Sequence, residues 1–312
     1  MNKKKISIIS PCLNEVETIE ECTQQVKKFF NTHKNYEYEH ILIDNASSDG
    51  SREQIEKLAL NDSKIKAIFN TKTFDAFKSL FNGIKYASGD AVVLCFSSDL
   101  EDPIEILEEF IKEWENGFKV VYGKRKERKD KNTFKKLFRN IYYFFTQTIL
   151  KITYQKNVNE FMLIDKQVHK ELISIDDHFP YIRGLVNYLG FNSKNIDYSP
   201  NIRTKGKSKF SILGHIPHAL NAFISFSNLP RILILLGFII SFSSILYSVY
   251  IFLSVFLLDI KLSQGLTTIL VSMFFLLGFI IFSLGILGEY LIAIHNQVRK
   301  KPMVVEEKKI NL

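Results

Sequence analysis

Cysteine is scarce: the 312 residues contain three, Cys12, Cys22 and Cys95. Their spacing is not that of a metal site. Their odd number argues against a disulfide framework and agrees with a reducing compartment. Glycine-rich phosphate loops are missing as well. No Gly-x-Gly-x-x-Gly follows the first apolar stretch, so the dinucleotide fingerprint is absent. Gly206-Lys207-Ser208 ends like a P-loop, but position 201 is Asn and no buried strand precedes it, which excludes an ATPase of that type. There is no His-Glu-x-x-His pair, no nucleophile elbow, no internal repeat and no low-complexity segment. Met1-Asn2-Lys3-Lys4-Lys5 is basic, but the apolar stretch after it is too short for a signal peptide.

Charge is absent from one long part of the chain. The formal net charge is +8, yet residues 232–288 carry only Asp259 and Lys261. Ile232–Leu258 and Leu262–Gly288 are uncharged runs of 27 residues each. A helix of that length spans about 40 Å, against a hydrocarbon core of about 30 Å. Soluble helices rarely run so far without charge, so two membrane helices are expected, at about 232–258 and 264–288. The short link between them implies a hairpin. Arg231 before it, and Arg299, Lys300 and Lys301 after it, are expected to place both chain ends in the cytoplasm by the positive-inside rule.

Before residue 123 the pattern alternates. Strands are expected at Ile6–Ser10, Tyr38–Asp44, Ile65–Phe69, Ala91–Phe96 and Lys119–Tyr122. Helices are expected at Glu15–Phe30, Ser51–Leu60, Ala76–Ala87 and Pro103–Asn116. Such alternation implies an α/β domain with a mostly parallel sheet covered on both faces. Ligands of such sheets bind beyond the carboxyl ends of the strands, which selects Ser10–Glu15, Asp44–Asp49 and Ser97–Asp102. Residues 124–139 hold nine basic and two acidic residues. A solvated helix face explains that run, and so does anionic lipid, which attracts such a patch by about 1 kcal/mol per basic residue. Nucleic acid is disfavoured for a membrane-bound chain. Residues 206–228 read as a juxtamembrane segment. Within it, apolar residues of Ser208–Ser227 recur at helical spacing, as in an interfacial helix or one packed on the soluble domain. Residues 291–312 form a basic tail.

The remaining chemistry lies in carboxylates at strand ends. Asp99 and Glu101 are two apart, so an extended backbone would direct both to one side, a hard-oxygen set suited to Mg²⁺ or Mn²⁺ on a diphosphate. Asp102-Pro103-Ile104-Glu105 reads as a capping box, so Asp102 is expected to start a helix. Asp44 is placed to accept a hydrogen bond from a base or ribose, or to form a turn before Asn45. Asp49-Gly50 reads as turn chemistry.

Ser10-Pro11-Cys12-Leu13-Asn14-Glu15, Ile43 through Gly50, and Ser98-Asp99-Leu100-Glu101-Asp102-Pro103 resemble the three signature loops of family 2 glycosyltransferases, which have the GT-A fold. Asn159 through Asp165, Pro180 through Leu185, Arg203 through Lys209, and Leu287-Gly288-Glu289-Tyr290 resemble further motifs of the polyprenyl-phosphate (undecaprenyl- or dolichyl-phosphate) members. The resemblance implies a catalytic GT-A domain over residues 1–205 and a transmembrane hairpin over 229–290. It implies inverting transfer of a sugar from a nucleotide-sugar, a UDP-sugar, to a polyprenyl phosphate at the inner face of a bacterial cell membrane, by a homo-oligomer. Pro11, Asn14, Glu15, Asp44, Ser98, Lys124 and Arg125 would hold the donor. Asp99, with Glu101 where the family usually has Gln, would hold Mg²⁺ or Mn²⁺. Arg183, Arg203 and Lys209 would meet phosphate.

A phosphate monoester has a second pKa of about 6, so the acceptor is already an anionic nucleophile and needs positioning more than deprotonation. Guanidinium groups suit that task, which favours Arg183 and Arg203 over any general base. The chain departs from the family's commonest residues at Ser97 (usually Asp), at Asn45 after Asp44 (usually Asp-Asp), at Thr73-Phe74-Asp75 (usually Asn-Phe-Gly) and at Glu160 (often Asp). Two other readings stand beside the first. One is a membrane glycosyltransferase acting on a glycan or protein. The other is a catalytically degenerate assembly subunit.

Overall fold

The computed structural model describes residues 3–126, 158–201, 265–299 and 301–312, with scattered positions between 236 and 250. Eight strands form one sheet: β1 (Lys4–Cys12), β2 (Tyr36–Asp44), β3 (Ile65–Asn70), β4 (Ala91–Leu94), β5 (Val120–Arg125), β6 (Val158–Asp165), β7 (Ser193–Tyr198) and β8 (Glu306–Ile310). Their spatial order is β7-β5-β6-β4-β1-β2-β3-β8. β1 pairs in parallel with β2 and with β4, β2 with β3, and β5 with β7. β6 is antiparallel to both of its neighbours, and β8 is antiparallel to β3. The expected α/β, mostly parallel sheet is therefore present. Each alternating element expected before residue 123 forms, with ends shifted by a few residues.

Helices α1 (Ile19–Thr32), α2 (Ser51–Asn61), α3 (Ala76–Ile84) and α4 (Ile106–Glu115) follow the first four strands. α5 (Lys166–Ser174) and α6 (Ile182–Tyr188) follow β6. Period-2 alternation decides which side chains face which layer. Ile6, Ile8, Ala91, Val93, Phe161 and Leu163 pack with Cys22 and Val26 of α1 and with Leu107, Phe110 and Trp114 of α4. Burying each large apolar side chain contributes about 1.5–3 kcal/mol. On the opposite face α3 comes very close. A Cβ at Gly83 would lie 2.1 Å from Ile43 Cδ1, so only glycine admits this approach.

The elements between residues 158 and 198, and β8, were not expected from the sequence pattern, and β6 and β8 show why. β6 sits in the middle of the sheet and is buried on both faces over Phe161–Ile164, so it carries no alternating signal. β8 reads EEKKI, the polar sequence of an edge strand. It occupies part of the expected basic tail. Glu306 accepts hydrogen bonds from Asn82 Nδ2 (2.6 Å) and Tyr86 Oη (2.8 Å) on the chain segment of α3. Val305 O accepts one from Thr71 N (3.0 Å).

α7 (Gly265–Val298) belongs to a separate compact unit. It is 34 residues long, or about 51 Å. Among the described residues it is one helix long and apolar enough to cross a membrane, over Phe275–Val298. Apolar side chains such as Phe275, Ile281 and Leu291 are exposed along it. The described positions between 236 and 250 are helical. Most of the first expected span and the segment 206–228 lie outside the described residues.

One buried carboxylate holds the sheet near the amino ends of β1 and β4. Glu39 is 1% exposed. It accepts hydrogen bonds from Ser7 Oγ (2.6 Å) and Ser88 N (2.7 Å), and it pairs with Lys5 Nζ (2.5 Å) and Lys66 Nζ (2.8 Å). Burial raises its pKa, but the donors from Lys5, Lys66, Ser7 and Ser88 outweigh burial and hold it at about 2, against the ordinary 4.5. A depressed carboxylate pKa contributes stability above its unfolded value and loses it as pH falls through the folded one. We expect Glu39→Ala to cost about 3 kcal/mol in thermal unfolding of the detergent-solubilised protein at pH 7. The gap between wild type and variant should close as pH falls from about 4.5 toward 2. A gap that stays constant with pH would show that the ion pairs contribute nothing.

Candidate active site

Because β1 lies between β2 and β4, three strand-end loops emerge side by side at one edge of the sheet. The loops are bonded to each other. Asn14 N donates to Ser47 Oγ (2.8 Å), and Ser48 N donates to Asn14 Oδ1 (2.7 Å). Glu15 N donates to Ser51 Oγ (2.8 Å), and Val16 N donates to Asp49 Oδ2 (3.2 Å). Ser98 Oγ donates to Pro11 O (2.9 Å). Asp49 Oδ1 also takes Ser51 N (3.0 Å), and Gly50 has φ +94°, so Asp49-Gly50 does turn the chain into α2. Asn14, Ala46, Cys95 and Leu100 all have positive φ, between 54° and 63°. Each such non-glycine residue costs about 1–2 kcal/mol, and such strain clusters at ligand sites.

Asp44 is fully buried at the end of β2. Its Oδ1 accepts Ser47 N (3.1 Å), while Oδ2 has no protein partner. A buried acceptor left open costs about 1–3 kcal/mol unless a ligand donor fills it. Both expected roles, turn former and ligand acceptor, are thus compatible with one carboxylate.

Asn45 has a different task. Its Nδ2 donates to Phe74 O (2.8 Å), and its Oδ1 accepts Phe74 N (3.0 Å) and Asn70 Nδ2 (2.9 Å). A carboxamide matches the Phe74 backbone on both sides, whereas a carboxylate would set oxygen against oxygen. Asp75 then caps α3 through Phe77 N (3.0 Å) and Lys78 N (3.3 Å). Asn45 and the Phe74 backbone thus form one latch between the second loop and the start of α3.

The third loop corrects two expectations. Leu100 has φ +63°, so the backbone between Asp99 and Glu101 is not extended. Instead Asp99 Oδ1 accepts Glu101 N (3.1 Å), a tight local turn, and Glu101 Oε2 lies 3.4 Å from Arg125 Nη2. Asp102 does not cap a helix. α4 begins at Ile106 without a side-chain cap. The Asp102 carboxylate is 1% exposed and accepts Tyr198 Oη (2.6 Å) and Arg125 Nη2 (3.3 Å). A cap is worth about 1 kcal/mol. A charge-assisted bond to a buried carboxylate is worth more, which is why the partners from β5 and β7 win. Tyr198 carried no signal beforehand, because its role needs β7 to lie beside β5.

The other expected residues divide. Lys124 pairs with Asp197 (3.5 Å) on the exposed side of β5 and β7. Arg183 Nε donates to Tyr181 Oη (2.9 Å), and its Nη1 donates to Val158 O at the start of β6. Arg203 and Lys209 lie outside the described residues. Asn201, just before them, is tied to the third loop through Asn201 N to Glu101 O (2.8 Å) and Nδ2 to Leu100 O (3.2 Å). Burial pushes the Cys12 and Cys22 thiols up, Cys22 to about 12, so neither is a thiolate nucleophile.

Among the described residues no group of three or more His, Cys, Asp or Glu could hold a metal unaided. Mg²⁺-type ions are commonly held by one or two carboxylates plus water and substrate phosphates. Asp99 at the open edge fits that arrangement and does not fit a protein-only cage.

The latch gives a test. Asn45→Asp should lower stability by about 1–3 kcal/mol, read as a lower melting temperature in detergent. An unchanged melt would show that the Phe74 contacts carry no weight.

Residues 7–186 match the description "Glycosyl transferase family 2", which spans all three loops. Along nearly its whole length the chain is similar to curated bacterial proteins. It is 30% identical to the putative glycosyltransferase CsbB of Bacillus subtilis, covering 97% of this chain and 91% of that one. It is 28% identical to the uncharacterized glycosyltransferase YkcC of the same organism, covering 97% and 93%. It is 29% identical to the SfII prophage-derived bactoprenol glucosyl transferase of Shigella flexneri, covering 97% and 98%. With the family match extending over more than half of the chain and across the loops that the sheet brings together, the chain belongs to glycosyl transferase family 2 and is a glycosyltransferase of GT-A fold.

Proposed function

We propose that the protein transfers a sugar, with inversion at the anomeric carbon, from a UDP-sugar to undecaprenyl phosphate at the cytoplasmic face of a bacterial cell membrane. The lipid-linked sugar would serve modification of an envelope glycan. The observation that carries the acceptor is the end-to-end similarity to a bactoprenol glucosyl transferase, which extends through the region of the apolar helix α7. Two spans, with both chain ends and the catalytic domain on one side, and a homo-oligomeric state complete the reading.

The donor half rests on Asp44. Its open Oδ2 accepts an N–H or O–H of the nucleoside, and the first loop (Pro11, Asn14, Glu15), tied to Ser98 of the third, lies at the same edge of the sheet. Asp99 would hold Mg²⁺ or Mn²⁺, which would supply positive charge for the leaving diphosphate. Arg125 adds a guanidinium beside Glu101 and Asp102. The acceptor phosphate is an anion near neutral pH, so no general base is required. Arg183, Arg203 and Lys209 bring that phosphate to the anomeric carbon against charge repulsion. Lys124, turned to Asp197, keeps only a secondary part.

The test is a donor panel assayed against undecaprenyl phosphate with the full-length protein in detergent. Product should form with at least one nucleotide-sugar and require Mg²⁺ or Mn²⁺. Asp99→Ala should lower kcat about a hundredfold or more without loss of folding. Asp44→Ala should raise the donor KM about tenfold or more. Transfer to a glycan or protein but not to the lipid would overturn the acceptor, and wild-type turnover by Asp99→Ala would overturn the metal role.

A further inference from the structure

The third loop carries Asp99 and Glu101 in a conformation that its own sequence disfavours. Leu100 sits at φ +63° with no glycine to relieve it. Something outside the loop must hold it. β5, β7 and the segment just after β7 supply that support at three points. Asn201 binds the carbonyls of Leu100 and Glu101. Arg125 reaches the carboxylates of Glu101 and Asp102. The Tyr198 hydroxyl sits between them. It donates to Asp102 Oδ1 (2.6 Å) and accepts Arg125 Nε (3.1 Å), and Arg125 Nη2 on the same Oδ1 (3.3 Å) closes a ring of hydrogen bonds through the three side chains.

The surroundings fix that hydroxyl. The Tyr198 ring packs edge-on against Phe161 of β6, with ring centroids 5.6 Å apart. A Cβ at Gly123 would lie 3.0 Å from Tyr198 Cε1 and 2.9 Å from Phe161 O, so the glycine before Lys124-Arg125 gives the ring its room. Lys126 N donates to Tyr198 O (2.8 Å) and locks the two strand ends together. A guanidinium has many rotamers, and an exposed one would spend little time in any of them. Here one face of Arg125 is tied to an immobile phenol and a buried carboxylate.

We infer that Tyr198 is a positioning residue for the transfer reaction: its hydroxyl holds Arg125 and Asp102, and through them keeps the Asp99–Glu101 loop and the guanidinium in working geometry. Its role in transfer rests on the glycosyltransferase reading above; its hold on the loop does not. The effect belongs to kcat more than to donor KM, because Arg125 and the loop face charge that develops on the leaving diphosphate, whereas Asp44 binds the nucleoside before reaction.

The test compares full-length Tyr198→Phe, Arg125→Lys and the double variant in detergent. Tyr198→Phe keeps the ring on Phe161, so the fold persists. Its amides at Leu100 and Glu101 should exchange with solvent on the order of tenfold faster than in wild type, while β1 and β2 amides keep their rates. Its kcat should fall about tenfold or more with donor KM within about twofold. The double variant should lose clearly less kcat than the product of the two single losses, since the hydroxyl acts in part through the guanidinium. Unchanged loop exchange, or losses in kcat that multiply in the double variant, would overturn the proposal. If wild-type protein transfers no sugar, the transferase reading fails on its own, and the exchange rates still decide whether Tyr198 holds the loop.

Discussion

β1 pairs in parallel with β2 on one side and with β4 on the other, in registers that bring Cys12 opposite Asp44 and Ile8 opposite Val93. Every polar feature of the proposed donor site hangs from that pairing. Parallel strands all point the same way, so their carboxyl ends, and the loops that follow, meet at one edge. Asn14, Ser47, Asp49 and Ser98 then join the loops by short hydrogen bonds. Loops held from several sides can keep Asn14, Ala46, Cys95 and Leu100 in left-handed conformations that none would adopt alone.

The opposite end of the same strands is built from charge. Glu39 collects Lys5, Lys66, Ser7 and Ser88 into one satisfied cluster. Its partners are complete, and its role is structural. Asp44 differs by a single unfilled oxygen. Both are buried carboxylates on β2. The contrast between a closed network and an open one separates the structural group from the candidate ligand group.

The departures from the family pattern acquire physical reasons. Asn45 is needed as an amide because Phe74 offers it both a donor and an acceptor. Glu101, where a neutral Gln is usual, faces Arg125 and shares that cation with Asp102. These are substitutions compensated by neighbouring groups. They count in favour of an adapted site over a decayed one. Ser97 and Glu160 are departures for which no compensating contact is described.

Much was written in the amino-acid pattern itself. Alternation of strands and helices before residue 123, the strand-end carboxylates and the long uncharged run through α7 are local signals, each carried by residues close in sequence. Asp44 and Asp99 could be singled out because they lie at the ends of apolar strands, whereas Asn14 entered through the family resemblance. What residues within one segment could not reveal is partnership. Asp102 satisfies every local rule for a helix cap, yet Tyr198 and Arg125, distant in the chain, claim it through a buried charge-assisted contact. β6, buried on both faces, and β8, polar and at the edge, lack a periodic signature because their neighbours, not their own side chains, define them as strands. Sequence determined which groups stand ready at the ends of strands. Only the tertiary structure decided which of those groups are consumed by the protein and which remain open, because that depends on who lies across the sheet.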